Sequence, residues 1–163
     1  MVPKKPSESS IQVAYFMEPQ DANIAGNVHG GVIMKYIDTT AGMVASRHAR
    51  KNVVTASIER LDFHSPVFIG NLLKLTASVN YVGGTSMEIG VRVESEDLAT
   101  GDLRHTASAY LTFVALDEEG RPSEVPKLIL ESEDEKRRSQ EAQERRRVRK
   151  EEKRKERASS PQK

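Results

Sequence analysis

The 163-residue chain contains no cysteine, which excludes a disulfide framework, a thiolate metal site and a cysteine nucleophile together. No apolar run approaches the roughly 20 residues of a membrane helix. The first ten residues, MVPKKPSESS, hold no apolar signal region. A soluble cytoplasmic protein without membrane contact is the expectation. The chain also lacks an excess of either charge. Its 25 Lys and Arg stand against 24 Asp and Glu, a formal net charge of +1. The length fits one ordinary domain with something attached.

That near-neutral average combines two unlike regions. Residues 131–157 carry 12 basic and 9 acidic side chains, so 21 of 27 are charged. Residues 1–130 carry 12 basic and 15 acidic, and Lys163 supplies the last positive charge. All eight aromatic residues lie between Tyr15 and Phe113, and after Leu130 the only apolar side chains are Ala142, Val148 and Ala158. Such a tail cannot bury a core of its own. The expected organisation is a disordered N-terminus over 1–9, a folded domain over 10–130, and a charged, partly helical or disordered tail over 131–163. Good helix formers favour a solvated helix there, although Glu144 has no base at i+4 while Glu151 has Lys155. Acids interrupt every basic cluster, so nucleic-acid binding through Arg145–Arg147 or Arg149–Lys150 is not expected.

In the folded part, Ile11–Met17 reads as a first strand. Glu18 to Gly31 is rich in Gly, Asn, Asp and Pro and reads as irregular chain. Val32 to Ala49 is free of proline and apolar on almost every side, the pattern of a buried helix. Val53–Phe63, Leu72–Tyr81, Met87–Val93 and His105–Leu116 carry strand signals, with period-two alternation clearest in the middle two. Gly83–Gly84 marks a hairpin. One long helix with an antiparallel sheet is an α+β arrangement. A sheet curled around a single apolar helix is the hotdog fold, whose open edges favour pairing into a dimer.

Asp38 is the most chemical residue of that helix. Met34, Ala41 and Ala45 share its face, and Lys35 is its one local basic neighbour. An isolated carboxylate in such surroundings costs several kcal/mol unless paired or protonated, and perturbed carboxylates cluster at active sites. A carboxylate bonded to a backbone amide across an interface is the alternative. The segment Gly26-Asn27-Val28-His29-Gly30-Gly31 opens the helix. Free N–H groups at a helix start, with the dipole behind them, can polarise a carbonyl or bind an anion; a tight turn and cap is the alternative. His48, His64 and His105 show no metal-ligand spacing, so no metal is expected.

The stretches GNVHGGVIMKYIDTTAG, VVTASIERLDFHSPVFIGN and GGTSMEIGVRVESED, with VALDEEGRPSEVPKL near the domain end, resemble the hotdog-fold acyl-CoA thioesterases. The resemblance is to the short bacterial acyl-CoA hydrolases and the brain-type two-domain hydrolase, and covers about residues 10–135. It implies hydrolysis of acyl-CoA to free acid and CoA, without a cofactor beyond the coenzyme A of substrate and product. It implies Asp38 as general base or nucleophile, Asn27 positioning water or carbonyl, and Gly30 and Gly31 as the thioester-polarising turn. The resemblance further implies that the helix aspartate and loop asparagine come from opposite protomers of a homodimer, commonly in a trimer of dimers. For the CoA moiety the resemblance points to the hairpin Gly83, Gly84, Thr85 and Ser86, with Arg60, Arg104 and His105 as further candidates. Tyr36, Ile37, Met43 and Phe63 are candidates for the acyl tunnel, each equally a core residue. Two other readings stand beside hydrolysis. One is a ligand sensor that binds acyl-CoA intact. The other is a dehydratase using His29 with Asp38.

Overall fold

The computed structural model describes residues 1–159; residues 160–163, with the charge assigned to Lys163, lie outside the described residues. Strand β1 (Ile11–Phe16) is followed by helix α1 (Gly30–Ala49). Strands β2 (Asn52–Phe63), β3 (Leu72–Val82), β4 (Ser86–Glu96) and β5 (Leu103–Leu116) come next, and helix α2 (Glu133–Ser159) is the last described element. The strands form one antiparallel sheet in the order β1-β3-β4-β5-β2. This is the α+β hotdog architecture that the pattern of the sequence leads one to expect.

Alternation builds the inner face. Leu73, Leu75, Ala77 and Val79 of β3 are buried, as are Ile89, Val91 and Val93 of β4 and Ala107, Ala109, Leu111 and Phe113 of β5. Helix α1 packs on this layer through Ile33, Ile37, Ala41, Val44, Ala45 and His48. Those positions recur at intervals of three and four and form one stripe. The sequence suggests a helix apolar on nearly all sides, and the single chain differs: Met34 and Met43 are 40% and 38% exposed. Val54, Ile58 and Phe63 are exposed as well, on β2, an edge strand bonded only to β5. Arg50, in the left-handed conformation at φ 54°, stops the helix and donates its N–H to the Ser46 carbonyl.

The N-terminal segment departs from its expected disorder. Lys4 exchanges backbone hydrogen bonds with Lys127 and Ile129, and Pro6 and Ser9 are buried. Buried His48 explains the attachment, because its ring bonds both Ser9 Oγ (3.2 Å) and the Pro126 carbonyl (2.9 Å). Lys4 Nζ also donates to the His48 carbonyl at 2.7 Å. A polar stretch is held here by polar partners distant in sequence.

The tail differs as well. It forms helix α2, docked rather than solvated. Ala142 and Ser139 are buried against the outer face of the sheet. Arg145 pairs with Glu88 at 2.7 Å and lies 3.7 Å over the Tyr110 ring, and Arg146 donates to Tyr81 Oη at 3.0 Å. Glu88 is prepared for this contact by Asn80, whose Nδ2 donates to it at 3.2 Å. Gly90 leaves the space, since a Cβ there would stand 2.6 Å from Asn80 Nδ2. On the solvent side, Arg147 pairs with both Glu144 and Glu151, the i,i+3 partner taking the place of the absent i+4 base. No described helix is long and apolar enough to cross a membrane.

Candidate functional site

The loop before α1 is a closed turn. Asn23 Oδ1 accepts from the N–H groups of Ala25 (2.9 Å) and Asn27 (3.2 Å), and the Asn23 N–H donates to the Asn27 carbonyl at 2.7 Å. Gly26 takes the positive φ of 84° that this reversal needs. Val28 N–H donates to the Val67 carbonyl, and Asn27 bridges to Phe68. The loop is thus fastened to the chain leaving β2. Between them lies a cavity of about 320 Å³ lined by Asn23, Asn27, Gly30, Ile33, Phe63 and His64, among others.

His29 caps α1. Its Nδ1 accepts the Gly31 N–H at 2.9 Å, so that N–H is already engaged. A Cβ on residue 31 would stand 3.1 Å from this same nitrogen, which favours glycine there. The Gly30 N–H, at the first helical position, has no acceptor among the described residues and is at the cavity. Of the two glycines named from the sequence, Gly30 is therefore the one with a donor to offer.

Asp38 sits eight residues further along α1, about 12 Å along the axis. It is half-buried rather than enclosed. Its Oδ1 accepts a hydrogen bond from Thr55 Oγ1 at 2.8 Å. Thr55 on β2, and not the exposed Lys35, is the partner of this carboxylate. The structure thus does not bring Asp38 and the loop asparagines together within one chain, because no single carbonyl can touch groups so far apart.

The other candidates divide between the two ends of the sheet. Thr55, Phe113, Met87 and Val82 form one row across the strands. The hairpin Gly83–Ser86 follows at that end, three strand spacings or about 14 Å from Thr55. Its Gly83 carbonyl accepts from Lys127 Nζ, and Arg146 packs on Gly83. At the other end, Arg60 pairs with Asp62, and Arg104 is exposed. His105 Nε2 is 3.0 Å from the Ala107 carbonyl, and its ring lies 4.9 Å from that of His64 at the cavity. Of the tunnel candidates, Ile37 is fully buried core and Tyr36 stacks on Tyr15 at 4.0 Å. Burial, with the nearby Asp21 charge, raises the Tyr36 phenol above its ordinary value. Met43 and Phe63 remain exposed.

Comparisons with known proteins agree with this architecture. The model of the Thioesterase superfamily matches residues 25–101. The chain is 38% identical over 141 residues to the "Cytosolic acyl coenzyme A thioester hydrolase" of Mus musculus, covering 85% of this chain. It spans only 37% of that relative's length. It is 40% identical to the "Uncharacterized acyl-CoA thioester hydrolase YkhA" of Bacillus subtilis, over 78% of this chain and 74% of that one. Among solved structures, an apo-hexameric acyl-CoA thioesterase superposes with a TM-score of 0.86 at 38% identity, over 98% of this chain and 100% of that one. The Staphylococcus aureus acyl-CoA hydrolase in complex with butyryl coenzyme A, coenzyme A and coenzyme A disulfide gives 0.88 at 37%, over 96% of each chain. These coverages include α2, so the structural likeness extends well past the residue 135 at which the sequence resemblance stops. Variants of the S. aureus enzyme have alanine in place of an aspartate, of a threonine 17 residues after it, and of an asparagine 15 residues before it. The chain belongs to the thioesterase superfamily, among the hotdog-fold acyl-CoA thioester hydrolases.

Proposed function

We propose that this chain hydrolyses acyl-CoA thioesters to the free acid and CoA, at composite sites in a homodimer within a hexamer. The observation that carries the reading is the Asp38–Thr55 hydrogen bond. It joins two residues with the 17-residue spacing of the aspartate and threonine substituted in the S. aureus enzyme. Counting 15 residues back from Asp38 gives Asn23, which lines the cavity beside Gly30. Asn23 thereby takes the loop role that the sequence resemblance assigned to Asn27.

The chemistry follows from the parts. The Gly30 N–H and the positive end of α1 stabilise the oxyanion developing on the thioester carbonyl. The Thr55 hydroxyl occupies Asp38 Oδ1 and leaves Oδ2 for the reacting water or the carbonyl carbon. Asp38 acts as general base or as nucleophile.

The separation of Asp38 from Gly30 calls for a second copy. Strand β2 carries Thr55 near one end and the cavity residue Phe63 at the other. Antiparallel pairing of two such edges about a two-fold axis sets Thr55 of one copy beside Phe63 of its partner. The same pairing covers the exposed Val54 and Ile58.

A panel of acyl-CoAs of different lengths, read by thiol release, tests the activity. The cysteine-free chain adds no thiol background. Turnover of at least one chain length is expected. Thioesters that stay intact through an overnight incubation would overturn the proposal in favour of acyl-CoA binding alone.

A further inference from the structure

The outer-face helix reaches the strand that carries Thr55 at one particular place. Strand β2 pairs with β5 through two irregularities, between Thr55 and Ser57 and between Ile58 and Arg60. Thr55 pairs with Phe113 and Ser57 with Thr112, so Ala56 is an extra residue on β2. Such a bulge shifts the alternation of side chains by one. In a regular strand Ser57 would share the face of Thr55. Here Thr55 turns inward to Asp38, while Ser57 turns outward to α2.

Arg149 of α2 holds that outward pair. Its Nη1 donates to Ser57 Oγ and to Thr112 Oγ1, each at 2.8 Å, and the guanidinium pairs with Glu59. The same carboxylate accepts from Ser57 (3.0 Å) and Thr112 (2.9 Å). Glu59 is the extra residue of the second irregularity. Both are thus tied to one guanidinium, and the side chains of Arg149 and Glu59 are only 22% and 8% exposed.

We infer that Arg149 is a positioning residue for the reaction: it fixes the β2 bulge that aims the Thr55 hydroxyl at Asp38. The inference rests on the proposed role of Asp38. It gives the charged tail a part in catalysis through the sheet, without contact with substrate.

The experiment is a double-substitution cycle on the full-length oligomer, with thiol release from an acyl-CoA substrate. Arg149→Gln is expected to lower kcat by about tenfold to a hundredfold through misplacement of the carboxylate, with KM nearly unchanged. Arg149→Lys should recover part of the loss. Thr55→Val removes the inner bond directly, so adding Arg149→Gln to it should cost little more. Ser57→Ala, a milder change that keeps the charge pair, should lower kcat in the same direction. A wild-type kcat in a folded Arg149→Gln oligomer would overturn the inference, as would losses that multiply in the double variant. If Arg149→Gln fails to fold, Ser57→Ala decides alone, a wild-type kcat counting against the inference. Asp38→Asn separates the two levels. If it retains turnover, the site reading has failed, whereas an inactive Asp38→Asn with an additive cycle indicts only the role of Arg149.

Discussion

The two helices lie on opposite faces of one sheet and are attached by different physics. Helix α1 is held by alkyl burial, with Ile37, Ala41, Val44 and Ala45 completely enclosed. Helix α2 has Ala142 as its one fully buried apolar residue, and its attachment is through arginines onto Glu59, Glu88, Tyr81 and Tyr110. Burial of apolar area is non-directional and tolerates sliding. Guanidinium–carboxylate pairs have fixed geometry. The inner helix therefore gives the domain its stability, while the outer helix can set the register of particular strands.

Perturbing each attachment in turn would sharpen that contrast. The largest effect is expected from Ile37→Ala, about 3 kcal/mol lost from the core, measured by denaturant unfolding and insensitive to salt. Arg145→Ala leaves the buried Glu88 carboxylate without its cation. After allowance for the partly exposed guanidinium, the cost is roughly 2 kcal/mol. Hydrogen exchange should show α2 loosening before the sheet does. If Arg145→Ala destabilised α1 and α2 alike, the division of labour would be wrong.

A third effect is set by pH. Burial, helped by Lys4 and opposed by the Pro126 carbonyl and Glu8, holds His48 below its ordinary value of 6.5. A ring kept neutral in the folded chain takes a proton more readily once unfolded. Stability is therefore fully present above pH 6.5 and falls as pH drops below it. The slope is at most about 1.4 kcal/mol per pH unit for one group. Thermal unfolding between pH 7.5 and 5.5 measures this, and His48→Gln should flatten the dependence over that window. The smallest effect is expected on the solvent side of α2, where Arg147→Ala removes fully exposed pairs and should leave the unfolding temperature unchanged.

What the sequence discloses follows the same division. Period-two alternation identifies β3 and β4, and a proline-free stretch rich in apolar residues identifies α1, because burial against a core imprints a pattern on the sequence. The docking of α2 leaves no such imprint. Its partners are polar outer-face residues, Glu88 lying 57 positions before Arg145, and each reads locally as a solvated side chain. The site is legible in the same uneven way. Asp38 stands out as a carboxylate among apolar neighbours. Thr55 looks like any β-branched strand residue, and Asn23 like one more turn former in a loop full of them. Only the fold places the first on Asp38 and the second at the cavity. The N-terminal segment was hidden for a similar reason, since Ser9 finds its partner in His48, 39 residues away.

The central claim is that Asp38 carries the chemistry. Its most direct test is steady-state thiol release by Asp38→Asn, assayed beside the wild type in protein of unchanged oligomeric state. Removing the carboxylate while keeping its shape should lower kcat by about a hundredfold or more. An Asp38→Asn enzyme turning over at close to the wild-type rate would contradict the account.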